Sequence, residues 1–186
     1  MDVPLQCRCG ALGGVAMGVT PKTNRLIVCM CDDCQAYARL LNRADVLDAN
    51  GGTHIVPMYP AQLRITRGVE HLACLRLYPQ GLFRFYAGCC RTPVANCKSA
   101  GLPYAGVVRQ ILDVDDAALG PVFARMQGRY GYGLLPPGTS QKVSPRSIFY
   151  TLRFAAYGTL TRRQRPSPFF DDDGQPRTVP VVKPRA

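Results

Sequence analysis

The sequence predicts a mainly-β fold of the α+β class, and three observations lead to it. Several runs rich in β-branched or aromatic residues are bounded by Pro and Gly, which is typical of antiparallel strands. Cysteines fall where such runs end in turns, and the longer helical patterns come only after residue 113. The strand-like runs cover residues 53–57, 62–66, 72–78 and 82–86.

At 186 residues the chain is long enough for one domain with a substantial core. No apolar run approaches the roughly 18 residues of a membrane helix, and the N-terminus lacks the basic start and apolar stretch of a signal peptide. These features predict a cytoplasmic, reducing location and no membrane span. The nine cysteines, an odd number, are expected there to bind metal and not to form disulfides.

Three cysteines close together form the most specific motif of the sequence. Cys29 ends a predicted strand, and alternate side chains of a strand share a face, so Cys29 and Cys31 point the same way. A turn at residues 32–33, ahead of a short helix over residues 35–41, would bring Cys34 back to the same point. Converging sulfurs at this spacing fit a tetrahedral zinc ion, which binds thiolates at about 2.3 Å. Three protein ligands would leave one position open, as in a reactive site, whereas a fourth cysteine from elsewhere would close a structural one.

A second group of cysteines lies at two distant places in the chain. Cys7 and Cys9 precede a glycine, a pattern that indicates a strand ending in a tight turn with both sulfurs on one side. Cys89 and Cys90 leave a strand into a turn containing Gly and Pro, and they are candidates to complete the site begun by the first pair.

The other sulfur and imidazole groups are expected to be structural. Cys74 lies in the middle of a predicted strand and is interpreted as an inert buried thiol. His54 and His71 have no second ligand at helical or knuckle spacing, so we expect each to be packed or exposed and not bound to metal.

The formal net charge of +11, from 23 basic and 12 acidic residues, favours anionic partners. The basic residues are scattered, however, and the densest cluster spans only residues 162–165. Nucleic-acid modules usually show a concentrated patch with interleaved aromatic residues, so a nucleic acid is a partner that the sequence does not favour. Most of the basic residues are Arg, which pairs with carboxylates in a planar fork, and a small acidic ligand fits equally well.

Two helices and an arm are predicted beyond residue 113. Asp115 and Asp116 can cap a helix over residues 117–127. Ser144 and a following proline can start a second helix. Its apolar residues recur at helical spacing and form a face expected to dock on the domain. The members of that face are Ile148, Phe149, Leu152, Ala155 and Ala156.

The order of these motifs resembles that of the glutathione-dependent formaldehyde-activating enzyme family, which includes centromere protein V. The resemblance covers about the first 110 residues, and the middle motif is its most specific part. The motifs that carry it are Cys7-x-Cys9-Gly10, Cys29-x-Cys31-x-x-Cys34 and a late cysteine knuckle followed by Thr92-Pro93.

The resemblance implies a β-tent fold of antiparallel sheets with two zinc sites. It makes residues 1–112 a zinc-binding β-tent domain. Outside the resemblance, the sequence patterns predict a helical extension packed on that domain (113–164) and an extended C-terminal arm (165–186). One zinc site would be structural and would join the early cysteine pair to the late knuckle. At the other, three cysteines hold a zinc ion at which formaldehyde is joined to glutathione. The residues assigned to that reactive ion are Cys29, Cys31 and Cys34, with Cys31 as the catalytic candidate.

The chain departs from the family pattern in two places. Met30 stands where members usually carry His. The late knuckle usually reads Phe-Cys-x-x-Cys-Gly, and alignment on the Thr-Pro pair puts Cys90 at its second ligand position and Ala87 at its first. The fourth ligand of the structural site would then be Cys89, Cys97 or none.

Two functions from different classes follow. The first is a zinc protein, with one or two ions, that acts as a carbon–sulfur lyase on an adduct of an aldehyde with a small thiol such as glutathione. The second is a non-catalytic module in which both zinc ions are structural and the basic surface binds an anionic partner or a nucleic acid.

Overall fold

The structure is a computed structural model that describes residues 1–184. Over those residues the chain forms eleven strands in two sheets and three α-helices, which confirms the mainly-β, α+β class. The helices are α1 (Asp32–Leu40), α2 (Asp116–Leu119) and α3 (Pro145–Leu160). The strands are β1 (Val3–Gln6), β2 (Gly13–Ala16), β3 (Ile27–Cys29), β4 (Thr53–Met58), β5 (Leu63–Arg67), β6 (Leu72–Arg76), β7 (Phe83–Ala87), β8 (Thr92–Cys97), β9 (Ala105–Val108), β10 (Ala124–Met126) and β11 (Val181–Val182).

The smaller sheet has the strand order β1-β2-β5, and the larger one has the order β10-β3-β4-β9-β8-β7-β6-β11. The neighbouring strands run antiparallel except at the two edges of the larger sheet. There, β10 pairs parallel to β3 and β11 pairs parallel to β6. Both edges are therefore covered by segments from the second half of the chain, which satisfies edge amide and carbonyl groups that would otherwise be open to another chain.

The core lies where the two sheets face each other. Leu5 and Leu63 from the smaller sheet and Met58, Phe85 and Val107 from the larger sheet are each at most 5% exposed and belong to one cluster. Burial of such side chains is the main favourable contribution to folding, at roughly 25 cal/mol per Å² of apolar surface.

The segment after α3 also contributes to this core. The ring of Phe169 stacks on Phe85 with centroids 4.6 Å apart, and Phe170 meets Phe83 edge-on at 5.2 Å. Both inserted rings are at most 3% exposed. The last two residues of the arm expected over 165–186 lie outside the described residues, and the division of the chain at 112 and 164 stays a prediction.

The prediction of a helix over residues 117–127 is wrong. Helix α2 stops at Leu119, where Gly120 has a φ of +75° and is followed by a proline, and both residues end helices. The chain then runs extended, and Ala124–Met126 forms β10 beside β3. Hydrogen bonding to an open sheet edge, a tertiary effect, outweighed the local helical pattern.

Helix α3 begins where expected, but its buried face is a different one. The Oγ of Ser144 accepts a hydrogen bond from the amide of Ser147 at 3.2 Å and caps the helix. The buried positions are Ser147, Phe154 and Gly158. Phe154 stacks on Tyr59 with ring centroids 4.0 Å apart, and a Cβ at Gly158 would come within 2.6 Å of the Tyr59 ring. The predicted docking face is wrong, because its largest residues stay 48%, 69% and 64% exposed: Ile148, Phe149 and Leu152.

Candidate metal centres

The first candidate centre forms where β3 leads into α1. Cys29 is the last residue of β3, Cys31 is the N-cap of α1 and Cys34 lies in its first turn. The sulfur atoms of these three residues all lie within 4.8 Å of one another, so they could hold a metal ion. The sequence correctly brought them together, but the turn expected at residues 32–33 is the first turn of α1, which starts at Asp32 and not at residue 35.

The electrostatics of this three-sulfur centre favour a cation among thiolates. The N-terminus of an α-helix carries a partial positive charge that stabilises thiolates. Hydrogen bonds from Cys29 and Cys31, together with the guanidinium of Arg84, hold the pKa of Cys34 well below its usual value. The pKa of the Cys29 thiol is raised by its contacts with Cys31 and Cys34. Three thiols this close cannot all ionise without a compensating cation, and a divalent ion at their centre would supply it.

Arg84 is a buried cation behind the three-sulfur centre that the sequence analysis missed. Its side chain is 2% exposed and lies 3.6 Å from the Asp33 carboxylate. It donates a hydrogen bond to Oδ1 of Asn96 at 3.3 Å, and its Cζ is 5.2 Å from the centroid of the Tyr37 ring. No sequence signal identifies it, because an arginine between two phenylalanines in a strand is expected on the face opposite to theirs, which most half-buried strands turn to solvent.

A loop after β10 holds the cysteine turn in place. The side-chain amide of Gln35 donates hydrogen bonds to the carbonyls of Met30 and Tyr130, both at 2.9 Å. The hydroxyl of Tyr132 donates to the Oε1 of Gln35, and Asn50 donates to the Tyr132 carbonyl at 2.7 Å. Met30, at the usual histidine position of the resembling family, is fully buried beneath this loop. These supporting residues are far from the cysteines in sequence, and no motif identifies them.

The second candidate centre joins the two sheets. Cys7 and Cys9 follow β1, and Cys89 and Cys90 lie between β7 and β8. All four sulfurs lie within 4.8 Å of one another. Tetrahedral coordination with bonds of about 2.3 Å places sulfurs about 3.8 Å apart. Four of the six sulfur separations in this four-sulfur centre are 3.6 Å for Cys7–Cys9, 3.8 Å for Cys7–Cys89, 3.4 Å for Cys9–Cys89 and 3.9 Å for Cys89–Cys90.

Thr92 ties the two halves of the four-sulfur centre together. Its hydroxyl accepts hydrogen bonds from the amide of Arg8 at 3.0 Å and from the guanidinium of Arg43 at 2.9 Å, and it lies 3.1 Å from the sulfur of Cys90. Burial opposes ionisation of Cys90, but the contacts with Thr92 and with Cys9 outweigh it and lower the pKa of Cys90 to about 6. A thiol that ionises this readily is a favourable metal ligand.

Comparison with known proteins places the chain in a family. The model of a family of unknown function, DUF6151, matches residues 1–179. The chain belongs to this family. It is also similar to the crystal structure of a Rhodobacter sphaeroides protein, a structural-genomics target, with 18% identity, a TM-score of 0.45, and coverage of 64% of this chain and 96% of that one. No curated protein matches the sequence.

The remaining sequence candidates of this DUF6151 chain lie outside both centres. Cys97, the alternative fourth ligand, is buried in β8 and is 1% exposed, so the structure brings Cys89 and not Cys97 to the other three sulfurs. Cys74 is likewise buried in β6.

His54 lies 3.3 Å from the carboxylate of Asp48, and His71 lies 3.7 Å from that of Glu70.

Among residues 1–184, no helix is both long enough and apolar enough to cross a bilayer.

Proposed function

We propose that this DUF6151 protein binds one zinc ion at each cysteine centre. At the three-sulfur centre it acts as a carbon–sulfur lyase on an adduct of an aldehyde with a small thiol. The resemblance to the formaldehyde-activating family implies this reaction. One observation carries the proposal. Among residues 1–184, no His, Cys, Asp or Glu joins Cys29, Cys31 and Cys34 as a fourth ligand, whereas the other centre has four cysteines. Three protein ligands with an open position are the usual arrangement of a reactive zinc site.

The donor atoms support zinc as the metal. Both centres offer only cysteine sulfur, and thiolates select zinc, copper(I) or iron–sulfur clusters over magnesium, calcium and manganese. In the four-sulfur centre, four of the six sulfur separations are 3.4–3.9 Å, which matches tetrahedral coordination. Four thiolates saturate an ion, so this centre is assigned a structural role.

The proposed reaction balances without a redox partner. The sulfur of the thiol bonds to the aldehyde carbon, the carbonyl oxygen takes the proton, and the product is a hydroxyalkyl thioether; in reverse, the carbon–sulfur bond breaks. A zinc ion in the three-sulfur centre would supply the lowered pKa that makes the reacting thiol a thiolate near neutral pH. The N-terminus of α1 and the buried Arg84 provide positive charge beside the sulfurs, which offsets the negative charge of three cysteine thiolates.

The test combines metal content, coordination and turnover. Elemental analysis should find two zinc ions per chain. X-ray absorption should count about 3.5 sulfurs per zinc on average, rising to about 4 when glutathione is added. Exchange NMR on a mixture of formaldehyde and glutathione should show faster formation and breakdown of the adduct than in buffer.

Cys31→Ser is the matched variant for the turnover assay. It should retain one zinc ion and lose both the glutathione-dependent rise in sulfur count and the rate increase. A wild-type protein with two zinc ions, no change in sulfur count and no acceleration would reject the lyase while leaving the metal centres intact.

A further inference from the structure

A groove beside helix α3 collects basic and aromatic side chains that are separate in the sequence. Its cavity volume is about 880 Å³, within the range of ligand-binding pockets. Its wall is formed by α3 and by the chain before β3, between β4 and β5, before β10 and after α3. The cationic residues that line it are Lys22, Arg25, Arg146, Arg153 and Arg163. None of its lining residues is acidic.

The cations of the groove are available to a ligand. Within residues 1–184, no carboxylate lies within 4.0 Å of any of these five cationic groups. Arg146 and Arg153 are exposed on α3. Arg25 and Arg146 both lie over the Phe123 ring, with Cζ 4.5 Å and 4.6 Å from its centroid. Such cation–π contacts hold the guanidinium groups in place without neutralising them.

The aromatic side chains of the groove include rings with open faces. Phe149 is 69% exposed and Tyr157 is 52% exposed, although large apolar rings are usually buried. Behind them, Tyr59, Tyr150 and Phe154 are packed together, with Phe154 centroids 4.0 Å from Tyr59 and 5.9 Å from Tyr150. Exposed rings on such a supported base are platforms for stacking a planar group.

The spacing of these groups on α3 indicates a repeating ligand. Arg146, Phe149, Arg153 and Tyr157 are separated by three or four residues, so they follow one face of the helix. The stripe is three helical turns long, about 16 Å at 1.5 Å per residue. A free nucleotide carries its phosphates at one end, whereas here cations and rings alternate along the whole length.

We infer that this groove binds single-stranded nucleic acid, with phosphates on the Arg side chains and bases stacked on Phe149 and Tyr157. A single strand is favoured over a duplex because only unpaired bases can stack on a protein ring. This binding is a function separate from the proposed lyase, and it requires no metal at the three-sulfur centre. It also revises the expectation drawn from scattered basic residues, since the fold gathers them on one surface.

The experiment adds the zinc-bound protein to labelled oligo-U or oligo-dT and measures fluorescence anisotropy. The oligonucleotides are about 15 nucleotides long, which spans a typical single-strand site. Arg146→Glu/Arg153→Glu should weaken binding at least tenfold. It should also reduce the slope of log affinity against log salt by about 1.4, because two phosphate contacts at about 0.7 each are lost. Phe149→Ala/Tyr157→Ala should weaken binding by about 30-fold or more, because two stacked bases are lost, and should leave the salt slope unchanged.

The matched control is Lys98→Glu/Lys183→Glu, which makes the same change in net charge at exposed sites outside the groove. It should bind within twofold of wild type, and all variants should keep wild-type zinc content and circular dichroism. Equal losses in the control and the Arg146/Arg153 variant would overturn the inference, as would no oligonucleotide binding at low salt. So would competition by a mononucleotide, a duplex of equal length or polyglutamate as strong as that of the unlabelled strand.

Discussion

The two cysteine centres use the same ligand atom but are built in opposite ways. The three-sulfur centre lies within one strand–helix junction, between Cys29 and Cys34. The four-sulfur centre joins residues 82 and 80 positions apart in the chain, Cys7 and Cys9 each with Cys89. The first centre therefore needs only local structure to form, and the second needs both sheets to be in place.

This difference determines how each metal ion would affect stability. A ligand stabilises the folded state only to the extent that it binds the unfolded state less well. Three cysteines within six residues keep much of their metal affinity in an unfolded chain. The four-sulfur centre has no counterpart there, because closing a loop of about 80 residues costs entropy before the ligands meet. A metal ion in the four-sulfur centre would thus stabilise the fold more than one in the three-sulfur centre.

The largest expected effect separates the two centres by stability. Cys90→Ser should lose one metal ion and lower the free energy of unfolding by about 4 kcal/mol or more, because binding at a structural site is folding free energy. Cys31→Ser should also lose one ion but cost only about 1–2 kcal/mol. Elemental analysis and urea unfolding of both variants measure the two quantities. Equal destabilisation by the two variants would remove the distinction between a structural and a reactive centre.

The next effect concerns affinity at the three-sulfur centre alone. Arg84 contributes a buried positive charge beside Cys34. Arg84→Gln removes the charge and should weaken metal binding at this centre about 10- to 100-fold, the usual cost of losing a supporting residue. Arg84→Lys, which keeps the charge, should recover part of the loss.

The measurement for Arg84 is competition with a chromophoric zinc chelator. The more weakly bound zinc ion should no longer be detected when Arg84→Gln is combined with Cys31→Ser, because only the four-sulfur centre then binds metal. If Arg84→Gln lowered the affinity for both zinc ions alike, a general loss of stability would explain the result and the specific role of Arg84 would be refuted.

The parts of these centres that the sequence predicted are those set by local geometry. Alternation along a strand placed Cys29 and Cys31 on one side, and the adjacent helix start brought in Cys34. Sequence spacing does not decide among Cys89, Cys97 and no fourth ligand, because the answer depends on how the β7–β8 turn is oriented. Arg91 has a φ of +59° in that turn, a left-handed conformation that is uncommon for a residue with a Cβ and that sequence spacing does not reveal.

Tertiary contacts explain what was missed. The face of α3 could not be read from its apolar period, since Gly158 allows close approach to Tyr59 and thereby sets the helix rotation. That rotation leaves Ile148, Phe149 and Leu152 exposed. The same holds for β10, which forms only because β3 presents an open edge to it.

The smallest effect near neutral pH is expected from a thiol that belongs to neither centre. Burial raises the pKa of Cys74 to about 12, above the roughly 8.5 of a thiol in an unfolded chain. The unfolded state therefore loses a proton that the folded state retains, so the stability from Cys74 is complete below about pH 8.5. It is lost progressively toward pH 12, by about 1.4 kcal/mol per pH unit.

Cys74→Ala should remove this slope. The difference in unfolding free energy between wild type and variant, measured in urea, should therefore be nearly constant between pH 7 and 8 and should shrink above pH 9. A difference between the two proteins that does not depend on pH up to 11 would show that the Cys74 thiol ionises alike in both states. That outcome would also remove the contrast between an isolated buried thiol, which resists ionisation, and the clustered thiols that a metal ion would hold as thiolates.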